Sequence, residues 1–546
     1  TITLTGDCEF DAVTVSSGDT LDLNGQRVEF GGTFDIDDGG IIESAGSLIY
    51  ANATGSGYAV DSDGDWTTAR GLGTTDLVVT GSSVNLDLPG GNNPLRKIMI
   101  NSAGTVNKFY EASADGNVII GAGTYNSNSQ GSFPTDFTIA TGGTFTAGGT
   151  TSTVAGDFTT SGGLLGASCL ELNGSDEYGV NGGTTWGFGD TWTVEMWFKT
   201  STDAQMTMFD LHNDSNNNNR VRLLVKAGDD YVYLQTFNSS GTENTISAPI
   251  DVIDGKWHHV AATSSGTVLQ IYIDGKLMTQ STITVDRDAD PSMQLRFGRL
   301  HPSSIEYWNG CLDECRIFSD VRTPAEIRAD MFQGGTLANS GNLVCRYSFD
   351  EGTGSTADNS EGTAARDLSL NDGSGAATDL WAGAGTFTQG TSTLVMAKSG
   401  TQNIYYKHVE AVNNLTINDG STTQLWNTEA AGNGLLDIEG NLTVNEKLKS
   451  HADKAESRIR FTTAGTTIAV GSDVKTTALS ELFSMELEHS GSTNIPELTT
   501  PRLLLDSTAT AVATGDLTLT SELEVNSGTT FNANGNTIAA LLVDVN

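Results

Sequence analysis

Two runs decide the fold: Asp254-Gly-Lys-Trp-His-His-Val-Ala-Ala-Thr and, a few residues on, Val268-Leu-Gln-Ile-Tyr-Ile-Asp-Gly-Lys-Leu. The first alternates apolar and polar residues after a turn, and the second ends in an Asp-Gly turn. That alternation and turn chemistry predict adjacent antiparallel strands, hence a sheet and not a helix bundle.

Working outward, the same pattern recurs in Cys169-Leu-Glu-Leu-Asn-Gly, Trp192-Thr-Val-Glu-Met-Trp-Phe-Lys, Arg220-Val-Arg-Leu-Leu-Val, Tyr231-Val-Tyr-Leu-Gln-Thr-Phe, Met293-Gln-Leu-Arg-Phe-Gly and Cys311-Leu-Asp-Glu-Cys-Arg-Ile-Phe. Short β-rich runs divided by Gly, Asn, Asp and Ser predict a sandwich or jelly roll. Only Thr323-Pro-Ala-Glu-Ile-Arg-Ala-Asp-Met-Phe reads as helix. Thr323 is placed to cap it, Pro324 opens it, and Glu326 completes a capping box.

Leu170-Glu-Leu-Asn-Gly-Ser-Asp-Glu-Tyr, Trp192 to Phe198, Lys256-Trp-His-His-Val-Ala, Ile271-Tyr-Ile-Asp-Gly-Lys, Trp308-Asn-Gly, Leu312-Asp-Glu-Cys-Arg-Ile-Phe and Pro324-Ala-Glu-Ile follow one another in a telling order. The segment resembles laminin-G-like, concanavalin-A-type jelly rolls, relatives of the pentraxins. The resemblance implies that calcium and ligand meet on the loop after the Trp-Phe strand and on the loop before the Asp-Glu-x-Arg-Ile strand. Those loops hold Asp203 and His301-Pro-Ser-Ser-Ile-Glu-Tyr-Trp, so Asp203 and Glu306 would supply two oxygens to a calcium ion. The second loop lacks the acidic and amide run of pentraxins, which sets calcium in question. Asp210-Leu-His-Asn-Asp-Ser-Asn-Asn-Asn-Asn reads as a further, exposed oxygen-rich loop.

On either side, residues 1–163 and 383–546 are rich in short strands divided by Thr, Ser, Gly and Asn. Val15-Ser-Ser-Gly-Asp-Thr-Leu aligns without a gap on Val525-Asn-Ser-Gly-Thr-Thr-Phe. Gly156-Asp-Phe-Thr-Thr recurs as Gly440-Asn-Leu-Thr-Val and Gly515-Asp-Leu-Thr-Leu, with Asn414-Leu-Thr-Ile close to it. Recurring strand-turn units predict a β-solenoid, whose coils bury their faces on their neighbours. Gly143-Thr-Phe-Thr resembles Gly385-Thr-Phe-Thr, as if one coil type resumed after an excursion. The fold expected is therefore all-β, with a jelly roll and its return segment over 164–382 inserted between two solenoid arms.

Composition fits that reading. Of 546 residues, 37% are hydrophobic, 17% are charged and 64 are Gly, which favours strands and turns. The 67 acids against 28 Lys and Arg give a net charge of -39, a surface that repels nucleic-acid phosphates and anionic membranes. No run is long and apolar enough to span a bilayer as a helix. The chain opens with Thr1 inside strand-like sequence, without an initiating Met, which suggests a mature or excerpted product.

Cys311 and Cys315 on one extended strand lie roughly 13 Å apart, too far to bond. A disulfide would join either of them to Cys169 or Cys345, or all four are buried thiols.

For chemistry, polysaccharide cleavage needs two carboxylates flanking a scissile bond. The glucanase pattern Glu-x-Asp-x-x-Glu is absent, and Asp313-Glu314 comes closest, on a strand that the family uses structurally. His258 and His259 point to opposite faces of their strand, one packed and one solvated. No His-Glu-x-x-His, Cys-x-x-Cys, Gly-x-Ser-x-Gly or phosphate-binding Gly-Lys-Ser/Thr motif occurs. Sugar binding asks only for an aromatic platform beside polar groups, and Tyr178, Trp186 and Tyr307, with His301, are the candidates. Trp192, Trp197 and Trp257 are expected in the core.

The sequence thus predicts a non-enzymatic protein of an extracellular, cell or virion surface, with a solenoid stalk and a jelly roll that projects sideways to meet surface glycans. The Ser-, Thr- and Asn-rich arms resemble phage fibres and bacterial appendages. Its partners are expected to be other copies of itself and glycans, with neither nucleic acid nor membrane insertion. The alternatives are a subunit of a self-assembling filament or surface layer and, last, a polysaccharide depolymerase.

Overall fold

The computed structural model describes all residues except 45, 56, 63–64, 68–73, 89–94, 109–116, 128–130, 134, 150, 185, 187–188, 214–218, 239, 284–292, 302–304, 338, 362–363, 376–379, 382, 408, 428–434, 451–456 and 471–482. Both arms are parallel strands stacked coil on coil; a 17-stranded and a 6-stranded sheet each hold strands of both arms, with a 4-stranded sheet in the first arm and an 8-stranded sheet in the second. Apolar residues at alternate positions face inward, as Phe145 does in Gly143–Ala147. They join into one core that runs from Leu4 to Leu523 through both arms.

The insertion is visible in the register. Thr144, Phe145 and Thr146 pair with Thr386, Phe387 and Thr388, and Thr151–Val154 pairs residue for residue with Thr393–Met396. The glycine that opens each Thr-Phe-Thr run has a steric reason. A Cβ on Gly143 would strike the carbonyl of Ile120, and one on Gly385 would strike that of Ile139. Coils stacked at the ~4.8 Å strand spacing leave no room there.

A second device explains the Gly-Asp/Asn-Phe/Leu-Thr repeats. Where a coil turns its corner, an Asp or Asn Oδ1 accepts the backbone N–H at the matching corner of the next coil. Asp136 accepts from Asp157 at 2.9 Å and Asp157 from Asn403 at 2.7 Å. Asn414 accepts from Asn441 at 2.8 Å and Asn441 from Thr467 at 3.0 Å. Each bond satisfies a donor that the corner takes out of the strand ladder.

Residues Leu170–Asn371 form a two-sheet sandwich. One sheet orders Leu170–Asn173, Asn309–Phe318, Thr191–Lys199, Trp257–Ser265, Val268–Ile273 and Lys276–Thr282, with Leu343–Tyr347 beside Asn309–Phe318. The other orders Glu243–Ala248, Val232–Phe237, Arg220–Val225, Met206–Asn213, Met293–Phe297, Tyr178–Thr184, Leu368–Asn371 and Thr356–Ala357. The helix spans Pro324–Asp330 and carries the expected capping box, with Thr323 Oγ1 accepting from Glu326 N and Glu326 Oε2 from Thr323 N. Asp313 is structural: its Oδ2 accepts from Leu164 N at 2.9 Å and so fixes the connection that leaves the solenoid.

The jelly roll does not project sideways. Its first sheet lies against the flank of the N-terminal arm, and two of the three tryptophans expected inside it face outward into that contact. Trp192 is in the sandwich core, whereas Trp197 and Trp257 pack with Leu48, Tyr50, Met99 and Ile119 of the solenoid. Polar ties surround this seam. Asn101 bonds both backbone groups of Trp257, at 2.6 and 3.0 Å, and Lys199 Nζ donates to Thr141 O at 2.7 Å. Arg27 Nε donates to Asp274 O at 3.0 Å, and Lys276 pairs with Glu9. An apolar seam closed by charge-assisted bonds holds the two modules as one unit.

The two histidines also differ from expectation, because neither is solvated. His258 sits between Asp274 (2.9 Å) and Asp254 (3.1 Å). Burial acts against its charge, but the two carboxylates outweigh it and raise its pKa to about 10. His259 packs on Trp197 with ring centroids 5.3 Å apart, and burial, helped by Arg316, lowers it to about 3.

All five cysteines are free thiols, so none of the four candidates is bridged. Cys169 and Cys311 lie in the seam between modules, and Cys315 and Cys345 in the sandwich core. Burial raises the pKa of Cys169, Cys315 and Cys345.

Candidate functional site

The second sheet of the jelly roll lies on the far side of the sandwich from the solenoid contact, and its outer face is polar. Alternation sends Phe209, Leu223, Leu234 and Phe297 inward and puts Asp210, Arg222, Gln235 and Arg296 side by side on the outer face. His212 and Arg220 stand in the next row. Asp210 and His212, expected in an exposed loop, are therefore on a strand and fully buried; 214–218 of that run lie outside the described residues.

A loop folds over this polar floor and is fastened to it. His301 N donates to Asp210 Oδ2 at 3.1 Å, and Arg220 Nη2 donates to His301 O at 2.5 Å. The His301 ring stacks on His212 with centroids 4.0 Å apart. Arg220 Nε lies 3.0 Å from Asp210 Oδ1 and His212 Nδ1 3.2 Å from Asp210 Oδ2. Burial alone would raise the Asp210 pKa, but His212, Arg220 and the His301 N–H hold it below the usual carboxylate value.

Farther along the loop, Glu306 is the second fastening. Its Oε2 accepts from Arg222 at 2.6 Å and from Thr207 Oγ1 at 2.9 Å, and its Oε1 accepts from Gln205 at 2.5 Å. The backbone of Glu306 has φ +56°, a left-handed conformation that costs a side-chain-bearing residue roughly 1–2 kcal/mol. The three bonds hold it there, and such strain is found where a site must be pre-shaped.

The expected site residues thus separate. Glu306, His301 and half-buried Tyr307 share the loop, of which 302–304 lie outside the described residues. Tyr178 is nearby in the same sheet, pairs with Asn371, and carries the Arg299 guanidinium 3.8 Å above its ring. Trp186 is no platform: it is 1% exposed in the sandwich core, where its Nε1 donates to Met293 O at 3.2 Å.

Asp203 belongs elsewhere, with Oδ1 accepting from Gly228 N at 2.8 Å beside Asp229, Asp230 and Asp251. Asp203 and Glu306 therefore serve different partners. Among the described residues, no three His, Cys, Asp or Glu side chains are placed to hold a metal ion. The sequence reading missed the floor itself, Asp210, His212, Arg220 and Arg222. A signal existed, since charged residues alternate with apolar ones along both strands.

Comparison with known proteins bears on this module alone. Residues 173–328 match a family model described as the concanavalin A-like lectin/glucanases superfamily. No curated protein matches the chain. Among solved structures, a native heptameric SAP-like pentraxin from Limulus polyphemus is 15% identical, with 38% of this chain and 92% of that one covered and a TM-score of 0.29. A putative carbohydrate binding protein from Bacteroides ovatus is 18% identical, with 37% and 58% covered and a TM-score of 0.30. Domains LG4-5 of the mouse laminin alpha1 chain are 14% identical, with 30% and 45% covered and a TM-score of 0.25. The chain carries a concanavalin A-like domain of the laminin-G type, borne on a β-solenoid-like stack.

Proposed function

We propose that the chain is a non-enzymatic glycan-binding protein of an extracellular, cell or virion surface. The solenoid is its scaffold, and the free face of the jelly roll is where it meets sugar. One observation carries the reading: the loop from Arg299 to Tyr307 is fastened by Asp210 and by the Arg222–Glu306 pair over a polar floor. That fastening presents the Tyr178–Arg299 stack and Tyr307 at a partly open rim. A pyranose offers an apolar C–H face and a ring of hydroxyls, which an aromatic ring beside fixed polar groups can match.

Hydrolysis is not part of the proposal. Asp210 and Glu306 are both tied to guanidinium groups, which leaves neither free to act as acid or base. Calcium is left out as well, because both Glu306 oxygens already accept protein hydrogen bonds. A glycan array probed with the full chain is the test. Binding that falls in Tyr178→Ala and Tyr307→Ala supports the reading, and unchanged binding in both, or release of reducing ends, refutes it.

A filament subunit is the second reading, favoured by one feature. Strand Ile538–Val545 pairs with Leu517–Val525 and leaves Leu541, Leu542, Val543 and Val545 55–83% exposed. A strand of another copy laid beside it would bury them. Concentration-dependent sedimentation of the chain, abolished by Leu541→Lys, is the expected result for that reading. A monomer at all concentrations rejects it.

A further inference from the structure

A cleft of about 260 Å³ lies away from the jelly-roll face, where the solenoid flank meets the connections to the insert. Parallel stacking builds its floor. Because Ile119 pairs with Thr138, Thr138 with Thr159, Thr159 with Tyr405 and Tyr405 with Trp426, these side chains form one row across successive coils. Alongside runs a polar row that begins Lys97, Asn117, Asp136 and Asp157, in which Lys97 pairs with Asn117. The connection at Leu164–Ala167 and Asp350 closes the other side. Neither module makes this cleft alone.

Three features suit it to a ligand. Tyr405 and Trp426 form a half-exposed aromatic pair, with ring centroids 5.2 Å apart and planes tilted 39°. Asp136 and Asp157 are held in fixed orientations by amide donors, Asn117 Nδ2 at 2.9 Å and Asn403 Nδ2 at 3.2 Å, and each has acceptor capacity left. Lys97 lines the cleft, is 9% exposed, and makes no hydrogen bond or ion pair with a described residue. Burial lowers its pKa to about 8, with Asp76 and Asp136 acting the other way. An ammonium this enclosed is costly unless an acceptor arrives to meet it.

We propose that this cleft is a second binding site, which takes one pyranose ring of a neutral saccharide. The apolar face of the ring lies on Tyr405 and Trp426, its hydroxyls donate to Asp136 and Asp157, and Lys97 donates to a sugar oxygen. An acidic sugar is disfavoured because the carboxylates of Asp136 and Asp157 face the space against one ammonium, while burial raises Asp350 to a pKa of about 7. A nucleotide is disfavoured for the same reason. The volume falls just below the range of about 300–1,000 Å³ usual for larger ligands, which suits a single ring. The proposal does not rest on the jelly-roll reading.

The test is calorimetric titration of the full chain with neutral oligosaccharides of glucose, galactose and mannose type, followed by Trp426→Ala, Tyr405→Ala and Lys97→Met. Each aromatic variant is expected to weaken binding by about tenfold or more, roughly 1.4 kcal/mol. Lys97→Met is expected to weaken it less, and Trp426→Phe to retain it. The titrations are repeated in a Tyr178→Ala background, which removes the contribution of the jelly-roll face, and saturable binding that depends on Tyr405 and Trp426 is expected to persist there. Thermal melts that match the parent chain show that the variants are folded. No binding of any neutral saccharide, binding indifferent to both aromatic variants, preference for acidic glycans, or appearance of new reducing ends would each overturn the proposal. Binding lost in Tyr178→Ala but kept in Trp426→Ala assigns the sugar to the jelly roll and also overturns it.

Discussion

Phe145 and Phe387 stack inside the solenoid with ring centroids 5.7 Å apart and planes 6° from parallel, although the entire jelly roll lies between them in the chain. Their contact makes the two arms one body, since the core has no break at the insertion. Truncation of a buried Phe typically costs about 3–5 kcal/mol. Phe145→Ala is therefore expected to destabilise both arms together. Hydrogen exchange is the check: protection should fall in 386–412 as well as in 137–162, and a loss confined to the N-terminal side would show that the arms fold independently.

The seam makes a separate prediction. Asn101 satisfies both the N–H and the C=O of buried Trp257, and alanine there leaves two backbone groups unpaired. Each unmade buried hydrogen bond costs about 1–3 kcal/mol. Asn101→Ala should loosen the docking of the jelly roll without unfolding either module. Limited proteolysis is expected to cut the 163–168 connection faster than in the parent chain, and equal rates would mean that the apolar seam suffices alone.

Much of this architecture was legible in the residues. The Gly143-Thr-Phe-Thr and Gly385-Thr-Phe-Thr runs announced the insertion because coil stacking constrains the same positions in each coil. Strand alternation announced the sandwich. What could not be read was the seam. Trp197 and Trp257 have the period and hydrophobicity of core residues, and only their partners show that they are buried by another module. Trp186 was misplaced for the converse reason, since a buried indole and a sugar platform have the same local sequence. The cleft was invisible because Lys97, Asp157 and Trp426 converge only after the solenoid has stacked and the insert has been spliced into it.

The paired histidines should give stability opposite pH limbs. His259 is held neutral with a pKa of about 3, whereas an unfolded histidine takes up its proton near 6.5. The unfolded state thus binds more protons between those values, and stability falls as pH drops from about 6.5 towards 3. His258 has its pKa raised to about 10, so its contribution is complete below about 6.5 and is lost as pH rises through 10. Urea titrations from pH 4 to 10 check both signs. His259→Phe should flatten the acid limb, and His258→Gln should flatten the alkaline one. An unchanged slope in either variant would assign that limb to other groups.

The Arg222–Glu306 pair lets structural and binding roles be separated. Glu306→Gln leaves a guanidinium that is 6% exposed without its anion, and breaking a buried pair in this way costs about 3–5 kcal/mol. Stability and glycan affinity would then fall together, which by itself does not distinguish a fastening from a direct ligand contact. Replacing both partners, Arg222→Met with Glu306→Leu, removes the uncompensated charge, and such double replacements are often neutral or stabilising. The expected outcome is recovery of most of the lost stability with no recovery of binding, because the loop from Arg299 to Tyr307 loses the second of its two polar fastenings, the one beside Tyr307, even when the fold does not suffer. Chemical denaturation and a glycan titration on the same preparations make the comparison. If the double variant regains both, the pair does no more than support the fold, and the sugar must be held without the loop geometry that it imposes.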